Sequence, residues 1–193
     1  TERLDRIIVD FLEISRIEAA RLKFNFVKEN PLVAIKRLLK EMDGFLPEKK
    51  IKLIPKFGKL PTIEFDPDRV CQVLRNLINN AKKFSPENSK IEITAGLKDG
   101  MIQFSVKDYG VGLKLEDQKR VFEPFYQAGG MYSRKSGGTG LGLAICKGIV
   151  ESQNGKLWLE SEYKKGTKFY FTLPLKPVRK IRPIKILFSA EIG

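Results

Sequence analysis

Asn76, Asn80 and Lys83 stand at i, i+4 and i+7, which sets two amides and an ammonium along one face of a helix. An amide oxygen can complete the shell of a hard divalent cation, and a lysine meets phosphate oxygens as a point charge. The chemistry this offers is polyphosphate and metal binding. A solvated helix face has the same spacing, so this helix alone leaves both readings open. Asp108-Tyr-Gly-Val-Gly112 follows a strand, and its glycines admit a tight turn with a ligand close against the backbone. Its carboxylate can accept a hydrogen bond from an exocyclic amine, which selects adenine over guanine. Asp-x-Gly is also ordinary turn chemistry. Gly138-Thr-Gly-Leu-Gly-Leu143 opens an apolar helix, so backbone N–H groups and the helix dipole face an anion. It lacks the ending of a Walker loop and the glycine spacing of a dinucleotide fingerprint; a flexible hinge is the alternative. Phe122 and Phe125 read as core anchors at the base of a polar segment, Gln127 to Gly137, with direct ligand contact as the alternative. That segment has no apolar periodicity and reads as a mobile loop. Its Arg134 and Lys135 are either solvated charges or groups that close over phosphates.

The elements that must position these residues follow from periodicity. Val70, Val73, Leu74, Leu77, Ile78 and Ala81 give the central helix one buried stripe. Asp66-Pro67 starts it and Ser85-Pro86 closes it. Before it come a helix over Thr1 to about Arg21, a strand over Leu22 to Val27, a helix from Pro31, and strands over Ile51 to Ile54 and Ile63 to Phe65. Pro55 and Pro61 bracket a loop. Lys90 to Thr94 and Met101 to Val106 are strands joined as a hairpin at Lys98-Asp-Gly100. Glu116 to Phe122 is a short helix. A helix through Ile145 and Val150 and two last strands, Lys156 to Glu160 and Lys168 to Leu173, complete the body. The first helix carries Leu4, Ile7, Phe11 and Ile14 at bundle spacing, a stripe that calls for a partner chain or a further helix.

Composition narrows the class. The chain has 193 residues, 42% of them hydrophobic and 31% charged, as in a soluble globular protein of one or two domains. No apolar run spans a bilayer and no signal peptide opens the chain, so a cytoplasmic location is expected. The net charge of +13 is compatible with nucleic acid or an anionic membrane surface. The basic residues are spread out and no nucleic-acid motif accompanies them, so no nucleic acid is expected. Histidine is absent, which excludes a His-dependent triad, a His-ligated metal and a His phosphoacceptor within the chain. Cys71 and Cys146 lie in apolar helical patterns and read as buried free thiols. After Pro174 the chain turns basic; residues 176–193 read as a linker, or, with Ile184 to Phe188 as a strand, as the start of a receiver-like domain.

Taken in order, these stretches resemble a known family. From about Arg6 to Leu175 the chain resembles a sensor histidine kinase of two-component signalling, a member of the GHKL superfamily with its Bergerat-type ATP-binding fold. Phe11-Leu-Glu-Ile-Ser-Arg-Ile-Glu18 resembles the end of the family's second bundle helix, and Asn76 to Pro86 its asparagine box. Asp108-x-Gly-x-Gly112 resembles the first glycine box, Phe122-Glu-Pro-Phe125 the phenylalanine box, and Gly138-Thr-Gly-Leu-Gly142 the second glycine box. Lys165-Gly-Thr167 resembles a reduced final one. The resemblance implies an α+β fold: a two-layer α/β sandwich with a mixed sheet of about five strands, covered on one face by helices and preceded by one bundle helix. Residues 1–21 would end that bundle helix and residues 22–175 would form the catalytic domain.

The resemblance also implies ATP and Mg²⁺ as cofactors. Asn80 would bind Mg²⁺, Asn76 and Lys83 would meet the phosphates, and these three would be the catalytic set. Asp108 would hold the adenine amine, Gly110 and Gly112 would admit the purine, and Thr167 would sit near the adenine. Gly138, Gly140, Leu141 and Gly142 would line the triphosphate. Phe84, Leu113, Tyr126, Thr139 and Leu143 would complete the nucleotide site, with Arg134 and Lys135 from the loop. The reaction would carry the γ-phosphoryl group to a histidine nitrogen, the protein supplying mainly position and charge neutralisation. The implied partners are a histidine-bearing dimerisation helix, which this chain lacks, and a response-regulator receiver domain, with a homodimeric parent. The chain would bind ATP without phosphorylating itself.

Two further departures stand out. Gln127 follows Tyr126 where many members carry arginine, and Asn154-Gly155 replaces a two-glycine turn. The superfamily's hydrolases place a glutamate base four residues before the metal asparagine; Asn76 stands there and cannot take a proton from water. That favours a kinase over an ATPase. A non-catalytic nucleotide-binding docking module is the remaining alternative.

Overall fold

A computed structural model describes residues 2–43, 49–128 and 138–177. The order is α1 (Glu2–Glu18), β1 (Val27–Glu29), α2 (Pro31–Asp43), β2 (Lys52–Phe57), β3 (Ile63–Phe65), α3 (Pro67–Phe84), β4 (Lys90–Lys98), β5 (Met101–Lys107), α4 (Leu115–Arg120), α5 (Gly142–Ser152), β6 (Leu157–Glu162) and β7 (Gly166–Pro174). Five strands form one mixed sheet in the order β2-β4-β5-β7-β6. β2 runs parallel to β4 and the other pairs are antiparallel. Buried side chains alternate along β4 with Ile91, Ile93 and Ala95 inward, and the stripes of α3 and α5 close over that face. Phe104 and Phe171 stack at the centre with ring centroids 4.6 Å apart. The two-layer α+β arrangement with helices on one face matches the expectation.

Several local expectations needed revision. The strand expected over Leu22 to Val27 is reduced to β1, which pairs antiparallel with β3 as a separate ribbon. Upstream, the Asn25 N–H donates to Asp66 Oδ2 at 2.7 Å, so a side chain takes the place of a strand partner. Pro55 lies inside β2 rather than in a loop. β2 is an edge strand paired on one side only, where the missing N–H costs no ladder bond. At the β4–β5 hairpin Asp99 and Gly100 take φ of 50° and 73°, the left-handed pair such a turn requires. Cys71 and Cys146 are free thiols, half-buried and buried.

α1 also departs from expectation. It stops at Glu18 through a Schellman-type end: the Arg21 N–H donates to Arg16 O, the Ala20 N–H to Ile17 O, and Ala20 has φ of 53°. The far end of its stripe needs no outside partner, because Ile14 and Ile17 are buried in the core of this same chain. Ile17 presses on Gly148 of α5, where a Cβ would stand 2.6 Å from Ile17 Cγ2. Glu13 ties α1 to α3, accepting from Arg69 and, at 2.7 Å, from Gln72 Nε2. Leu4, Ile8, Val9, Phe11 and Leu12 remain exposed. Ile184 to Phe188, the expected tail strand, lies outside the described residues.

Candidate functional site

Asp66 caps α3 by accepting the Arg69 N–H at 3.0 Å, and the Ser85 N–H closes it on Ala81 O. Burial of the Val70–Ala81 stripe rolls Asn76, Asn80 and Lys83 to the edge of the layer. There they line a cavity of about 880 Å³ bounded by the loops after β5 and before α5. The cavity also takes in Phe84, Asp108, Gly112, Leu113, Tyr126 and Thr167. From the glycine-rich stretch it takes Gly138, Thr139, Gly140, Gly142 and Leu143. Residues widely separated in the chain thus share one site. Arg134 and Lys135 lie outside the described residues.

One group gathers around Asp108, which is 5% exposed. Its Oδ1 accepts the Gly110 N–H at 2.8 Å and the Thr167 N–H at 3.2 Å. Burial raises the pKa of this carboxyl, and the two backbone donors partly oppose the rise. Both of these bonds go to Oδ1, and Asp108 lines the cavity. Ser161 closes the corner: its Oγ pairs with Thr167 Oγ1 at 2.8 Å and accepts the Leu113 N–H at 2.8 Å. Gly110 does not itself line the cavity; a Cβ there would stand 2.3 Å from Phe84 O. Its bareness lets the turn press on the end of α3.

A second group gathers at the start of α5. Lys83 Nζ stands 5.0 Å from the Phe84 ring centroid, and burial lowers its pKa. It also lies 3.0 Å from where a Cβ on Gly138 would be, so ammonium and loop are in contact range. The Asn76 amide lies 3.7 to 3.8 Å from a Cβ position on Gly142. Thr139 Oγ1 accepts the Leu141 N–H at 3.2 Å and donates to Asp10 Oδ2 at 2.9 Å. Leu141, expected to line the triphosphate, is instead fully buried in the core and does not line the cavity, and its N–H is engaged by Thr139 Oγ1. Helix start, glycines and lysine together form a surface suited to anions.

The connection between the two groups differs from the sequence reading. Phe122 is half-buried and meets Phe169 edge-on at 6.3 Å, as an anchor should. Phe125 is not a core anchor: it is 51% exposed with φ of 63°. Its backbone N–H donates to Gly140 O at 3.0 Å and so pins the glycine loop. Gln127 Nε2 donates to Gly138 O at 2.8 Å, and its buried Oε1 has no partner among the described residues. The Tyr126 hydroxyl donates to Asp117 Oδ1, an interaction that raises its pKa, and Arg120 lies over its ring at 4.3 Å. Sequence reasoning missed Asp10, Asn79, Lys114, Asp117 and Phe169, all on the cavity wall. Only Asn79, beside Asn80, carried a local signal.

Among the described residues no group of three or more His, Cys, Asp or Glu side chains is assembled to hold a metal. The amide oxygens of Asn76, Asn79 and Asn80 on the cavity wall are the donor type that fits a Mg²⁺ arriving with phosphates and keeping several waters, which is how this cation usually binds.

Residues 65–177 match the family described as histidine kinase-, DNA gyrase B- and HSP90-like ATPase, and the chain belongs to it. The sensor histidine kinase WalK of Bacillus subtilis (strain 168) is 36% identical over 182 residues, covering 91% of this chain and 29% of that protein. The chain therefore spans less than a third of that relative's length. Full-length ShkA, solved with AMPPNP, superposes with a TM-score of 0.78 at 29% identity, over 94% of this chain and 37% of ShkA. The histidine kinase ThkA, solved with the response regulator TrrA, gives 0.72 at 26% identity, over 93% of this chain and 49% of ThkA. The mixed sheet with helices on one face is thus the fold of histidine kinase ATP-binding domains.

Proposed function

We propose that this chain is the ATP-binding catalytic part of a sensor histidine kinase, which transfers the γ-phosphoryl group of ATP to a histidine on another helix. One observation carries the reading: a buried carboxylate and an amide–lysine–helix-start surface face one cavity of nucleotide size. Asp108 Oδ2 receives the adenine amine while Oδ1 stays engaged by Gly110 and Thr167. Lys83 and the N–H groups at the start of α5 hold the phosphates, and Asn76 orients them. Asn80 holds Mg²⁺, which supplies charge neutralisation across the phosphates when bound. Asn76 has no basic lone pair with which to activate water, so the site favours transfer over hydrolysis. Residues 1–21, whose helix α1 ends at Glu18, are the end of the bundle segment and 22–175 the catalytic domain; the parent is a homodimer, signalling in the cytoplasm, that passes phosphate to a receiver aspartate. The nucleotide bound by ShkA and the response regulator bound by ThkA support the cofactor and the partner.

Asn80→Asp tests the site. Asn80 is half-buried and outside the core stripe, so the change should leave the thermal midpoint without nucleotide within about 0.5 kcal/mol of equivalent stability. Metal-dependent ATP affinity, measured by calorimetry with and without Mg²⁺, should change tenfold or more, the usual scale of losing one charged-group contact. Parallel loss of stability and binding would show a structural residue. Transfer of label from ATP to a supplied histidine-bearing bundle domain tests the reaction; ATP binding with no transfer would leave the docking module.

A further inference from the structure

We propose that docking of α1 and occupation of the cavity by a nucleotide polyphosphate oppose each other, and that they meet at the Asp10–Thr139 hydrogen bond. The proposal rests on the nucleotide reading of the cavity. α1 is held at three levels. Ile14 and Ile17 are buried against the body, with Ile17 on Gly148. Glu13 receives Arg69 and Gln72 from α3. Nearer the N-terminus, Asp10 Oδ2 accepts from Thr139 Oγ1 at 2.9 Å, across 129 residues of sequence. The first two levels lie outside the cavity. The third lies on its wall, where Asp10 is the one α1 residue among those described, bonded to Thr139 of a cavity that Lys83 and Gly138 also line.

The placement matters because of charge. The start of α5, with its glycines and Lys83, is the surface of this cavity suited to anions. A carboxylate from α1 already reaches it and engages the hydroxyl that also accepts the Leu141 N–H. Thr139 is not the sole partner of Asp10. A polyphosphate seated here meets a like charge in a partly buried setting, where solvent screens it weakly. The two anions then crowd the same end of α5, and Asp10 holds the Thr139 hydroxyl that a phosphate oxygen would otherwise take. A bound nucleotide loosens the third level of α1 and leaves the inner two in place. Linkage makes the effect reciprocal: whatever draws α1 from Thr139 tightens nucleotide binding by the same factor. Leu4, Ile8 and Phe11 lie exposed on another face of the same helix, so a helix packing on them would shift this balance by moving α1 as a whole.

Asp10→Asn in the 193-residue chain isolates the charge, since the amide oxygen still accepts from Thr139. Calorimetry with Mg²⁺ would compare a non-hydrolysable ATP analogue with adenosine, and hydrogen exchange would follow the amides of α1. The variant should bind the analogue about fivefold or more tightly than wild type, in the range of ordinary coupling energies, and adenosine equally well. Saturating analogue should speed exchange around Asp10 in wild type and do so less in the variant. Equal affinity for the analogue, or wild-type α1 exchange that ignores it, overturns the coupling while the site reading stands. Failure of both proteins to bind the analogue and adenosine overturns the site reading and the coupling with it.

Discussion

Asp108 is held where a carboxylate is least comfortable. Burial disfavours its charged form, and the Gly110 and Thr167 N–H groups compensate only in part, since its pKa remains raised. The sign of the linkage follows. A carboxyl whose pKa is higher folded than unfolded contributes stability below its ordinary value near 3.8 and loses that contribution as pH rises through the raised folded value. At pH 7 Asp108 therefore costs stability, and Asp108→Asn should raise the urea midpoint at neutral pH. The gain should vanish at pH values below 3.8, where both side chains are neutral. The same variant should lose preference for ATP over GTP, because an amide NH₂ now faces the exocyclic amine. A midpoint unchanged at pH 7 would mean the two donors fully offset burial. On the proposed reading, stability is given up here for an acceptor aimed at the adenine amine.

At the scale of elements, the contact of α1 with α5 depends on a missing side chain. Gly148 sits inside a helix, where glycine is a poor former, yet any Cβ there would overlap Ile17. Gly148→Ala trades better helix propensity for a clash with a branched, stiff side chain. The expected outcome is a loss of about 1–3 kcal/mol in denaturant unfolding. Adding Ile17→Ala, itself destabilising by about 2–5 kcal/mol, should give a sum well short of additive, because it removes the overlapping methyls. Strict additivity would mean that the two helices part rather than collide. Phe125 makes a related point about elements. Its exposed ring and left-handed backbone are tolerated because its N–H fixes Gly140, so the segment ordered by Phe122 shapes the glycine loop through backbone bonds.

At the scale of the molecule, two surfaces remain open. The charge of +13 attracts polyanions, so nucleotide affinity should fall as salt shortens the reach of that field. The exposed row Leu4, Ile8, Phe11 and Leu12 on α1 has bundle spacing and no cover within the described residues. Self-association through this row follows from the homodimer proposal and should show as a concentration-dependent mass in sedimentation. Ile8→Glu should abolish it and leave the unfolding midpoint of the body within about 0.5 kcal/mol, since the side chain is already half in water. A monomer at all concentrations in wild type would assign the row to another helix.

Much of this protein is legible in its sequence because the relevant forces are local. The stripe of α3, its Asp66 cap, the Asp99-Gly100 hairpin and the amide–lysine face all follow from periods of 3.6 and 2 and from backbone preferences that each residue carries with it. The glycine stretches announced close approaches, though not of what. What only the tertiary structure decided are relations between distant segments. That Ile14 and Ile17 find cover in their own chain depends on Gly148, and that Gly110 serves packing while Asp108 serves the cavity depends on where α3 ends. Asp10 carried no signal as a charged residue on an amphipathic helix. It became part of the site only when the fold brought it 2.9 Å from Thr139, because a hydrogen bond spanning 129 residues is fixed by packing and not by neighbours in sequence.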